Sequence, residues 1–67
     1  MVENLIGKRI RERRKSLHMN QKTLAAKSNV SRATISLIET GKCKGVLVGT
    51  LSAIANALDT TVEFFLT

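Results

Sequence analysis

The sequence predicts an all-α domain, and three observations carry that expectation. Hydrophobic residues make up 43% of the chain, mostly Leu, Ile, Val and Ala, with two aromatics and no proline. Apolar positions recur at intervals of three and four, and no stretch alternates polar with apolar for long enough to form a strand. Residues suited to capping or turning (Asn20, Asn29, Ser31, Gly41, Thr61) fall between the periodic stretches. The 67 residues leave room for one domain, spanning 1–67. The single Cys43 excludes an internal disulfide, and one His with one Cys makes no metal site, so aliphatic packing must supply the core.

A first helix is expected from Val2 to about Leu17, with Val2, Ile6, Ile10 and Leu17 on one side. Where that stripe should continue stand Arg13 and Arg14. A charge beside a core stripe is costly unless paired, so one of the two should meet a carboxylate from elsewhere, and spacing does not choose between them. His18 is expected to turn the chain in a left-handed conformation, Met19 to enter the core, and Asn20 to cap a second helix. That helix runs from Gln21 to about Ser28, with Leu24 inward and Ala25 small enough for close helix approach. Gln21 and the free N–H groups around it offer a phosphate site at the helix start.

Asn29 should end the second helix in the left-handed region, and Ser31 should cap a third, from Arg32 to about Thr40, stopped by Gly41. At about 100° per residue, Ile35 and Ile38 define the inner face of this helix, with Glu39 on its flank. Ala33, Ser36, Leu37 and Thr40 face the other way, with Arg32 reaching out near the start. An outer face this small and short-chained suits close approach to another surface. Two short helices joined by a tight turn form a helix-turn-helix, whose second helix can enter the DNA major groove. After a basic loop holding Lys42, Cys43 and Lys44, Val48 to about Leu58 reads as a fourth helix with Val48, Leu51, Ile54, Ala55 and Leu58 inward. Its start is poorly signalled. Asp59 and Thr60 make a turn, and Thr61 caps a last helix from Val62 to about Leu66. Phe64, Phe65 and Leu66 are either candidate dimer contacts or C-terminal closure of the core; a body this small has little room for all three.

Charge is segregated along the chain. Residues 1–44 hold all eleven Lys and Arg against Glu3, Glu12 and Glu39, for a net +8, whereas residues 45–67 carry −2. The basic part is built to meet a polyanion, and the rest is free for packing or self-association. No run approaches a membrane span and no signal pattern opens the chain, so a cytoplasmic protein without membrane contact is expected. With one His, one Cys and no glycine-rich phosphate loop, the chain lacks mutually positioned groups for catalysis, and neither an enzyme nor a cofactor is expected.

The run Gln21, Leu24, Ala25, Asn29-Val30-Ser31, Thr34-Ile35-Ser36, Ile38-Glu39 and Gly41-Lys42 resembles the phage repressor and Cro-type helix-turn-helix family, also called XRE. The likeness extends from Ile10 and Arg14 to Phe64-Phe65. It implies a five-helix repressor-like bundle with the motif at helices 2 and 3. It also implies that Arg14 is the arginine that pairs, with Glu39. By the same resemblance, Arg32, Ala33, Ser36 and Leu37 match base-contacting positions, and Gln21, Thr40, Lys42 and Lys44 match backbone-contacting ones. Asn29 stands where relatives usually carry glycine. Ala33 and Leu37 stand where many carry amides, so an adenine-reading bidentate contact is missing there. The implied function is a sequence-specific regulator of transcription that binds double-stranded DNA as a homodimer, of Cro-like or controller type. The alternative is a DNA-binding antitoxin that holds a toxin partner.

Overall fold

A computed structural model of the chain describes residues 2–43 and 45–66, with residues 2–4 as backbone alone. Val2, expected on the first apolar stripe, and Lys44, expected on the DNA backbone, fall outside the described side chains. The order is α1 (Val2–Ser16), α2 (Gln21–Ser28), α3 (Arg32–Glu39), α4 (Val48–Ala57) and α5 (Val62–Leu66), with no strand among the described residues.

The helix starts follow from local chemistry. Asn20 and Ser31, both in extended backbone, accept hydrogen bonds from the N–H groups of Thr23 and Thr34 and so cap α2 and α3. Thr61 does the same for α5, its hydroxyl accepting from the N–H of Phe64 at 3.3 Å. At α4, Leu47 occupies the capping position and offers no side-chain acceptor.

Three helices end in one way. After α1, α3 and α4 the chain enters the left-handed region at His18 (φ 56°), Gly41 (φ 75°) and Asp59 (φ 55°). In each, that residue and the next return their N–H groups to the carbonyls of the last turn: Lys15 and Arg14, Ile38 and Leu37, Asn56 and Ala55. This pattern satisfies carbonyls a helix end otherwise leaves open. Asn29, at φ 59°, turns the chain between α2 and α3.

The interior is aliphatic with one aromatic. Ile6, Ile10, Leu24, Ile35, Ile38, Leu51, Ile54, Ala55, Leu58 and Phe65 form it, with Met19, Ala25 and Val30 packed against its edge. α1 lies on α3 and α5, while α2 lies on α3 and α4. Gly7 permits the α1–α3 crossing, because a Cβ there would overlap the carbonyl of Ile38.

Three expected positions are corrected. Leu17 is 39% exposed, since it lies just past the end of α1, where the chain turns away at His18 and no element packs over it closely enough to bury it. Val48 is 73% exposed, because α4 meets the core only from Leu51 onward. Phe65 is fully buried and leaves the surface to Phe64 and Leu66, at 45% and 54% exposure, so it is no dimer contact. In a helix of one turn and a little more, only one of three successive apolar residues points inward.

Candidate nucleic-acid interface

α3 separates two duties by face. Ile35 and Ile38 are buried, whereas Arg32, Ala33, Leu37 and Thr40 are exposed and Ser36 is half-buried. No hydrogen bond or ion pair among the described residues engages the Arg32, Ala33 or Leu37 side chains. The four positions matched to base contacts therefore lie along one outward strip, with Leu37 its apolar part at 47% exposure.

Behind the strip, Glu39 is held from two sides. Arg14 donates to it from both Nε (2.8 Å) and Nη2 (2.9 Å), a bidentate pair, and both residues are buried. Arg14 Nη1 also donates to the Met19 carbonyl at 2.8 Å, so the guanidinium ties the end of α1 to α3 and to the turn. The pKa of Arg14 is raised, chiefly by its hydrogen bond to Glu39; burial opposes the shift and Coulomb attraction adds to it. Among the described residues, no buried side-chain nitrogen or oxygen lacks a hydrogen-bond partner, so the buried charge is fully met.

Gln21 departs from the expected geometry. Its Nε2 turns inward and donates to Glu39 Oε1 at 3.1 Å, joining the brace. What faces outward at the start of α2 is backbone: the first N–H groups of a helix have no partner within it, and Asn20 takes only that of Thr23. Neither α2 nor α3 carries an acid in its first turn, so the positive end of each helix dipole is left for an outside anion. Thr40 is exposed, but its hydroxyl donates to the carbonyls of Ser36 and Leu37 at 2.9 and 3.2 Å, leaving its lone pairs outward. Lys42 is exposed, and its N–H and that of Cys43 both return to the Leu37 carbonyl, which folds the basic loop back against the end of α3. Lys22 and Lys27 are exposed cations on α2.

Arg13 was not separable from Arg14 by spacing, and its partners left no signal in the sequence. Its Nε donates to the Leu58 carbonyl at 3.0 Å and its Nη2 to the Asp59 carbonyl at 3.1 Å. Backbone acceptors carry no side-chain signature to look for. Among the described residues no cluster of His, Cys, Asp and Glu could hold a metal, and no helix is long and apolar enough to cross a membrane.

A chain with a capped two-helix motif, a braced second helix and an outward strip of uncommitted side chains has the construction of a helix-turn-helix DNA-binding protein. The helix-turn-helix family profile HTH_3 matches residues 10–65, and the chain belongs to that family, of phage repressor and Cro type. It is a DNA-binding regulator of transcription by that membership. The fold is also similar to the crystal structure of the restriction-modification controller protein C.AhdI from Aeromonas hydrophila: TM-score 0.88, 28% identity, and 94% of each chain covered. A comparison with curated protein sequences finds no match.

Proposed function

We propose that this chain is a controller-type regulator that binds a two-part DNA site as a homodimer, with α3 of each copy in the major groove. The observation that carries the reading is the outward strip of α3, uncommitted on the outside and braced from within by Arg14 and Glu39. Arg32 reads a guanine through its forked donors. Leu37 and Ala33 meet thymine methyls, and Ser36 takes a base or phosphate acceptor. The start of α2 with Gln21, together with Thr40, Lys42 and Lys44, fixes the register on the sugar–phosphate backbone.

Size supports two copies. The longest extent of the chain is 26 Å, whereas half-sites read by the phage repressors lie ~34–36 Å apart, so one copy spans one half-site. Phe64 and Leu66 are the apolar surface on α5 that a second copy would cover. The likeness to a restriction-modification controller favours the controller role over the antitoxin one.

Selection from a random duplex pool with the purified protein tests the reading. A two-part sequence should be enriched, and its affinity should fall linearly in log K against log salt. Arg32→Ala is expected to lose about 1–3 kcal/mol of preference at a single base position, and Lys42→Ala to weaken all sequences alike. Enrichment of no sequence, or an Arg32→Ala profile identical to the parent's, sinks the assignment.

A further inference from the structure

Arg13 and Arg14 are adjacent on α1 but serve opposite flanks of it. Arg14 grips the end of the reading helix through Glu39. Arg13 grips the corner between α4 and α5 through the carbonyls of Leu58 and Asp59. The carbonyls of Asn56 and Ala55 are taken by the N–H groups of Asp59 and Thr60, and those of Leu58 and Asp59 are the ones the corner presents to Arg13. Asp59 sits at φ 55°, the left-handed helix ending that sets the direction in which the chain leaves α4. One turn earlier on α1, Arg9 Nη1 reaches the Phe64 carbonyl at 3.4 Å. The corner fixed in this way is the one from which Phe64 and Leu66 project.

α1 packs on both α3 and α5, and α3 has no comparable packing on α5. The angle between the reading surface and the α5 surface is therefore relayed through α1 directly, and by the longer route of α2 and α4, and Arg13 joins the two routes at the α4–α5 corner. Small errors in that angle matter. A tilt of about 10° across the 26 Å of the domain moves its far edge by roughly 4–5 Å, more than the ~3.4 Å rise of one base pair.

We infer that Arg13 is a positioning residue for operator spacing: it locks the α4–α5 corner to the helix that braces α3, and so sets the distance between half-sites that the homodimer accepts. The inference rests on the homodimer reading above. Arg13 itself need not touch DNA.

The test uses the full chain with four duplexes: one selected by the parent protein from a random pool, the same duplex with one half scrambled, and two versions with one base pair inserted or deleted between the halves. Arg13→Lys keeps the charge and loses the two-carbonyl fork; Arg13→Met loses both. Both variants should bind the half-scrambled duplex within about twofold of the parent and the intact duplex about tenfold more weakly, a coupling of ordinary size between linked sites. The penalty for altered spacing should shrink in both. An unchanged spacing profile overturns the inference. So does an equal loss on intact and half-scrambled duplexes, which makes Arg13 a residue of general stability. If the parent itself binds both duplexes equally well, the homodimer reading falls first; if the parent discriminates and the variants match it, only the role of Arg13 falls.

Discussion

The motif and the C-terminal hairpin are built to different standards of polar closure. From Asn20 to Gly41 each helix start has a side-chain cap and each turn has its left-handed residue. The lone acid there, Glu39, accepts from Arg14 and Gln21. From Leu47 to Leu66 the interior is as tight, with Ile54, Leu58 and Phe65 fully buried, but the outside is unfinished. Leu47 and Val48 stand 74% and 73% exposed at an uncapped helix start, and Phe64 and Leu66 are about half exposed. The first region closes its polar groups on itself and turns outward cations and free helix-start N–H groups, with Leu37 its one large apolar side chain at 47% exposure. The second leaves apolar surface that water covers poorly, the kind that protein partners cover.

The largest way to break this contrast is Glu39→Ala. It strands the buried Arg14 charge and removes the acceptor of Gln21, at a cost of about 3–5 kcal/mol. A chain of this length holds only ~3–10 kcal/mol of stability, so urea unfolding should show a midpoint shifted far down or lost. Ser31→Ala removes the α3 cap and should cost ~1 kcal/mol, a fall in melting temperature of roughly 4–8 °C, with α3 amides losing protection against hydrogen exchange first. The smallest effect has the opposite sign. Leu47 already has the extended backbone a cap requires (φ −69°, ψ 143°), so Leu47→Ser should stabilise by up to ~1 kcal/mol on thermal melting. A loss of stability there would mean that Leu47 carries packing its exposure does not reveal.

Much of the architecture was legible because its causes are local. Asn20, Ser31 and Asn29 announce themselves by residue type beside periodic apolar positions, and so does the His18 turn. What was illegible depends on where an element ends or on which atom accepts. Leu17 continues the α1 period on paper, but the helix has stopped by then. Val48 fits the α4 period and sits a turn too early to meet the core. Phe64 and Phe65, whose rings lie edge to face with centroids 5.8 Å apart, belong to a helix too short to have a period at all. For Gln21 the sequence favours an outward amide, because nothing in it tells that Glu39 Oε1 lies within reach. The arginine question shows the same limit: a carboxylate partner for one of the pair follows from burial, while the carbonyl partners of Arg13 do not.

The side chains of Arg32, Ala33 and Leu37 share no hydrogen bond with the rest of the described chain, and the helix that carries them is held by its caps and its inner face. Changes at such exposed positions ordinarily move stability by no more than about 0.5 kcal/mol. In the proposed reading, the cost of acquiring a new DNA target is therefore uncoupled from the cost of staying folded. On that reading a gene copy of this chain is free to drift across operators through three side chains, while Ile35, Ile38 and Glu39 beneath them stay under constraint.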